Sequence, residues 1–155
     1  MELKTYYKIR FNDCDPFKHL NNAAYINYML NAREDHLKQF HNISMADMYA
    51  KGLSWMVSHH EIVYLRPALY DEDVCIQSAL IKATEGSLLV EMIMFDESCQ
   101  QLKAVLWTTF TYVNLQTGKR DNHPAWFQET ADNLQTSELQ RFSGVKERVA
   151  ELRGR

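Results

Sequence analysis

Glycine is scarce in this chain of 155 residues: there are five, and only Gly86 falls in its strand-rich part. Loops that cradle phosphate need clustered glycines, so Walker-type and dinucleotide-binding sites are excluded. Cysteine is scarcer still. Cys14, Cys75 and Cys99 are odd in number and widely spaced. They form neither a C-x-x-C metal motif nor a disulfide framework, which points to free thiols in a reducing, cytoplasmic setting. A surplus of basic residues is also missing. The net charge of −3 gives no electrostatic case for nucleic acid or an anionic membrane as partner. No apolar run approaches the length of a membrane span, and the opening "MELKTYYKIRF" alternates like a strand instead of reading as a signal peptide. No serine stands in a G-x-S-x-G elbow.

What remains is an ordinary globular composition, 46% apolar and 24% charged, and a length that fits one domain over residues 1–155. Residues 3–11 alternate as a strand, with Leu3, Tyr7, Ile9 and Phe11 on the apolar side. The run "AAYINYMLNAREDHLKQF" places Tyr25, Tyr28, Met29, Ala32, His36, Leu37 and Phe40 at helical spacing without Pro or Gly. It predicts a helix from about Asn22 to about Phe40. A short helix is expected in "SMADMYAKG", with Ser44 as N-cap and Gly52 as stop. Four strand-like runs follow, joined by "ALY", "EG" and "SCQQ", links short enough for hairpins or tight antiparallel connections. Pro124 suits the first position of a last helix. The tail from about 135 is charged and reads as either a peripheral helix or a partly disordered segment.

Strand, long helix, then successive antiparallel strands make an α+β domain. A curved sheet around the helix would bury its broad apolar stripe. The sheet's other face is also apolar, in "LLVEMIMF" and "AVLWTTF", and a second subunit is the simplest cover for it.

Chemistry concentrates in "NDCDPFKHLNNAAY", residues 12–25. Asp13 and Asp15 have a turn-forming use, supported by Pro16, and a catalytic one as general base or nucleophile. Asn21 and Asn22 stand at the helix start. One Asn is sufficient for capping, and the free N–H groups there, with the helix dipole, suit a developing oxyanion. His19 reads as a loop-ordering hydrogen bonder before it reads as a base. Cys14 points away from the two acids under strict alternation, and carboxylate neighbours would raise its pKa. His59 and His60 are adjacent on a strand, face opposite sides and cannot jointly chelate a metal. No metal is expected, and no cofactor. Arg66, in "YLRPALY", is either a solvated cation or a contact to a phosphorylated carrier.

These residues resemble the hotdog-fold acyl-CoA thioesterases grouped with the 4-hydroxybenzoyl-CoA thioesterases. The family pattern is an aromatic-preceded D-x-D, then H-x-N-N, then a helix aromatic: here Asp13, Asp15, His19, Asn21, Asn22 and Tyr25. "IVYLRPALYDEDV" resembles the family's next strand and hairpin, with Tyr64, Pro67, Ala68 and Asp73 at familiar positions. The resemblance implies about five antiparallel strands wrapped around the central helix, a homodimer or homotetramer, and hydrolysis of an acyl-CoA or acyl-carrier thioester. It places the catalytic carboxylate at Asp15, the carbonyl-polarising amide near Asn22, and His19 with Asn21 ordering the loop. Asn21, Tyr25, His59 and Arg66 are the expected substrate contacts. Lys18 stands where many relatives have Gly, so a left-handed residue there would be strained. The rival expectations are a non-catalytic acyl-carrier binding or assembly protein, and a hydratase, whose His/Asp motif is not found.

Overall fold

Residue spacing in the long helix sets the architecture. In the computed structural model, which describes residues 2–155, helix α1 spans Asn22–His41. Tyr25, Met29, Ala32 and His36 recur at helical spacing and are all buried. Asn21 caps the helix by accepting the Ala23 N–H, and Asn42 ends it in the left-handed conformation. Strand β1 (Leu3–Lys8) and a 3-10 turn (Phe11–Asp13) precede it. After it come α2 (Met45–Ala50), β2 (Leu53–Tyr64), β3 (Asp73–Ala83), β4 (Ser87–Asp96), β5 (Leu102–Asn114) and the two-residue β6 (Lys119–Arg120). The chain closes with α3 (Ala125–Leu134), a second 3-10 turn (Ser137–Arg141) and α4 (Val145–Arg153). Pro124 takes the N-cap position of α3, one residue earlier than expected.

The five long strands pair antiparallel in the order β1-β3-β4-β5-β2, with β6 on β5. Period-two alternation divides their side chains between two cores. Ile76, Met92, Met94 and Leu106 share one core with α1, while Ile81, Ile93, Val105 and Trp107 form another on the outer face.

Three expectations need correction. Phe11 is 80% exposed, because β1 stops at Lys8 and the turn lifts the ring off the apolar side. The link containing "ALY" is no hairpin. It carries the chain from β2 at one edge of the sheet to β3, two strands away from β2's partner β5. Buried Lys103 anchors this crossover by bonding Pro67 O at 2.9 Å and pairing with Glu72 at 2.8 Å. Finally, the outer core is covered by the chain's own tail, through Leu139, Val145 and Val149, where a second subunit was the simplest cover. Arg148 of α4 forks onto buried Glu91 at 2.8 and 3.1 Å, and Glu91 also accepts Trp107 Nε1–H at 2.9 Å.

Beneath the sheet's first strands lies a polar relay that links a buried cation to a surface carboxylate. Arg33 Nη1 donates to Ser78 Oγ (2.9 Å), which meets His36 Nδ1 (2.6 Å), and His36 Nε2 meets Thr5 Oγ1 (2.9 Å). Thr5 then donates to Tyr7 OH (2.8 Å), and Tyr7 to Asp35 Oδ2 (2.6 Å). A neutral imidazole fits this order, with Nε2–H donating to Thr5 Oγ1 and Nδ1 accepting from the Ser78 hydroxyl. Burial, and secondarily the Arg33 charge, lower the His36 pKa to about 4. Above pH 6.5 the ring is neutral folded and unfolded. As pH falls, the unfolded ring protonates first, so stability is lost progressively down to about pH 4, by about 3 kcal/mol in all. The urea midpoint should therefore drop more between pH 7 and 4.5 in the wild type than in His36→Gln. Equal drops would remove His36 from the account.

Candidate active site

The segment between β1 and α1 folds back on itself as a short antiparallel loop. Cys14 bridges Leu20, Asp15 N–H donates to His19 O (2.8 Å), and Asn21 N–H donates to Asp13 O (2.9 Å). This pairing sets Asp13 opposite Asn21 and Asp15 opposite His19. Asp15 is thus two strand residues, roughly 7 Å of backbone, from the N-cap Asn21. The loop is seated on the β2–β3 crossover: Leu20 N–H donates to Ala68 O and Tyr70 N–H to Lys18 O, both at 2.8 Å.

The two aspartates do different jobs. Asp13 Oδ2 accepts a 2.6 Å hydrogen bond from Tyr28 OH, which in turn accepts Arg10 N–H at 3.0 Å. Burial and the Asp13 bond push the Tyr28 phenol up to about 12, so it stays a donor. Helical spacing alone places Tyr28 in the apolar stripe. Its three-residue spacing from Tyr25 is the one signal that it reaches the loop. Asp15 Oδ1 accepts the N–H groups of Phe17 (2.9 Å) and His19 (3.0 Å), which fixes the carboxylate's orientation. Its Oδ2 has no partner among the described residues. Asp15 lines a surface cleft of about 520 Å³ with Phe11, Cys14, Pro16 and Tyr70.

At the helix start, Ala23 N–H is taken by Asn21 Oδ1 (3.0 Å) and Ala24 N–H by Asn21 O (2.8 Å). The Asn22 N–H has no acceptor among the described residues, and the Asn22 carbonyl accepts Tyr64 OH at 2.7 Å. The first turn therefore offers one unclaimed amide at the positive end of a 20-residue helix. A half-free carboxylate can activate water, and an unclaimed helix-start amide can hold an oxyanion.

Other candidates are placed differently. His19 orders the loop through its backbone N–H and carbonyl; its ring makes no polar contact among the described residues. Tyr25 is buried, its hydroxyl accepts Ala68 N–H (2.9 Å), and it packs edge-on against Tyr64. It supports the loop from below through the crossover. His59 sits exposed on β2, 3.5 Å from Glu61. Tyr64 is the β2 residue that hydrogen-bonds the start of α1, and His59 lies five residues from it, about 17 Å along the strand, so one protomer does not bring His59 to the loop. Arg66 is exposed on the crossover, held by its own N–H to Lys103 O. Cys14 has its pKa raised, by burial first and by Asp13 and Asp15 next, which makes it a poor nucleophile.

Lys18 adopts φ 65°. The loop keeps the left-handed turn that glycine would take freely, and lysine bears the strain. Lys18→Gly should raise stability by about 0.5 kcal/mol, the relieved strain less glycine's larger unfolded-state entropy. A denaturation midpoint below that of the wild type would contradict this.

A family model described as the thioesterase-like superfamily matches residues 9–131. The chain belongs to that superfamily. Its antiparallel sheet wrapped around a long helix is the hotdog fold of these enzymes. The long-chain acyl-CoA thioesterase FadM of Escherichia coli is 29% identical over 117 residues, which cover 76% of this chain and 87% of FadM. The probable thioesterase YbaW of Escherichia coli superposes with a TM-score of 0.74 at 26% identity, covering 86% of this chain and 99% of YbaW. A Staphylococcus aureus protein solved in complex with CoA shares the fold (TM-score 0.76, 12% identity), covering 93% of this chain and 94% of its own. The thioesterase match takes in every loop residue from Asp13 to Asn22, the hydrogen-bonded Tyr28 and the crossover beneath them.

Proposed function

We propose that this chain hydrolyses acyl-CoA thioesters, with Asp15 as the catalytic carboxylate and the Asn22 amide as the oxyanion donor. The observation that carries the reading is the pairing of an oriented carboxylate, Oδ2 unclaimed, with an unclaimed helix-start amide on one loop. Asp15 Oδ2 takes a proton from water as the water oxygen attacks the thioester carbonyl. The Asn22 N–H and the helix dipole hold the resulting oxyanion. Collapse breaks the carbon–sulfur bond, and the thiolate takes up the proton, leaving free acid and CoA. The same carboxylate oxygen is also placed to attack directly, through an anhydride. Asn21 and the His19 backbone keep the geometry, and exposed Arg66 offers a cation to the CoA phosphates.

FadM's activity and the CoA bound by the Staphylococcus aureus protein support the substrate class. The chain works as a single domain and self-associates as a homodimer or homotetramer. Exposed Met56, Val57 and Tyr64 on the free edge strand β2 are the surface for this. Three free cysteines agree with a cytoplasmic setting, and among the described residues no helix is long and apolar enough to cross a membrane. The test is thiol release by the purified protein from short, long and aryl acyl-CoAs. A clean negative across the panel, with CoA binding retained, would replace hydrolysis with a carrier-binding role.

A further inference from the structure

Away from the Asp15 loop, an apolar cavity of about 230 Å³ lies between the second half of α1, α2, α3 and the sheet. Leu80, Val90 and Phe110 form its floor, and Phe127 and Ala131 one wall. On α1 its lining runs from Leu30 to Leu37, eight to fifteen residues beyond Asn22, hence about 12–22 Å from the helix start. It opens beside Glu34 and Thr130, both exposed.

One lining residue does not fit an apolar hole. Arg33 is 7% exposed, and its one hydrogen-bond acceptor among the described residues is the neutral Ser78 hydroxyl. It has no carboxylate within ion-pair distance among those residues. Glu34 lines the same cavity without pairing to it, and Asp35 is reached only through the His36 relay. Burial lowers the guanidinium's pKa to about 10, so it is charged at neutral pH. Among the described residues no fully buried side-chain nitrogen lacks a partner, so the guanidinium donors not given to Ser78 keep contact with solvent, and an anion arriving there would complete the cation. A guanidinium's planar fork fits a carboxylate in particular.

We propose that this cavity is a second ligand site, for a free carboxylic acid with a medium-length alkyl chain, the carboxylate on Arg33 and the chain among the apolar walls. The volume supports the chain length. An apolar cavity of about 150 Å³ already holds benzene, and at about 30 Å³ per water-sized unit this one holds roughly eight heavy atoms. Such an acid belongs to the chemical class that thioester hydrolysis releases, so the site would let the protein hold or sense product. The binding itself is independent of the Asp15 chemistry.

Calorimetric titration of octanoate, octanol and acetate tests this, in the wild type and in Asp15→Asn, so that a failure of the hydrolysis reading leaves the measurement intact. Octanoate should bind at least about tenfold more tightly than octanol or acetate in both proteins, the factor that one charge-assisted contact supplies. Arg33→Met should bring octanoate to within about twofold of octanol, because only the charge-assisted contact is removed. Ala131→Leu, which fills the cavity without touching the charge, should weaken octanoate and octanol together. Absence of octanoate binding, or octanoate affinity unchanged in Arg33→Met, would overturn the proposal. Should Arg33→Met not fold, unchanged affinity in Ala131→Leu would do the same.

Discussion

Asp15→Asn lowers kcat/KM for thioester hydrolysis by about 10³-fold, within the range a positioned general base contributes. The substitution is informative because it leaves the loop in place. Asn Oδ1 still accepts the Phe17 and His19 N–H groups that Asp15 Oδ1 accepts now. That requirement turns the amide nitrogen toward the position of Oδ2. A donor then stands where a proton acceptor or nucleophile is needed. Circular dichroism and the oligomer should be unchanged, while thiol release from the acyl-CoA panel falls to near background. Asp15→Ala is the less clean experiment, since it also leaves two loop amides without their acceptor. Turnover by Asp15→Asn within tenfold of the wild type would remove this residue from the mechanism.

The second large effect concerns stability. Arg148→Ala destabilises the fold by about 3–5 kcal/mol, because it leaves the Glu91 carboxylate buried without its cation. Glu91 is 2% exposed and Arg148 7%, and the two form a forked pair. The Trp107 indole N–H still donates to Glu91 in the variant but does not neutralise it. Loss of the pair also loosens α4 from the outer core, where Val145 and Val149 pack. Replacing both partners, as Glu91→Leu with Arg148→Met, should recover most of the loss, since no charge is then stranded. Urea denaturation of the two variants checks both statements. A loss below about 1 kcal/mol in Arg148→Ala, the size of an exposed pair, would mean that the pair is effectively solvated.

Local pattern carried much of the architecture. Helix α1 was legible almost to the residue, because an Asn cap, an unbroken helical period and a basic last turn all agree. The long strands were legible from β-branched and aromatic runs, since side-chain alternation is a local property. The crossover was not, because link length alone does not say which strand the next one joins. The tail was undecided for a related reason. Its place depends on a contact 57 residues away, Arg148 to Glu91, and its apolar residues are too few to show a face of their own.

The candidate site divides in the same way. Sequence placed Asp13, Asp15, His19, Asn21 and Asn22 in one loop at a helix start, and it marked residue 18 as the position where a left-handed turn would strain lysine. The loop follows from cap and turn chemistry within a dozen residues, and the mark on residue 18 from the resemblance, whose members often have Gly there. The resemblance singled out Asp15, and the tertiary structure supplied the physical difference, spending Asp13 on Tyr28 and leaving Asp15 Oδ2 unclaimed. It tied the Tyr25 hydroxyl to Ala68 and left His59 five strand residues from the Tyr64 contact. It also converted His36 from a stripe residue into part of a relay, and set Arg33 beside an apolar cavity with no carboxylate to match. Which groups a side chain meets across the sheet is decided by packing, and no local spacing encodes it.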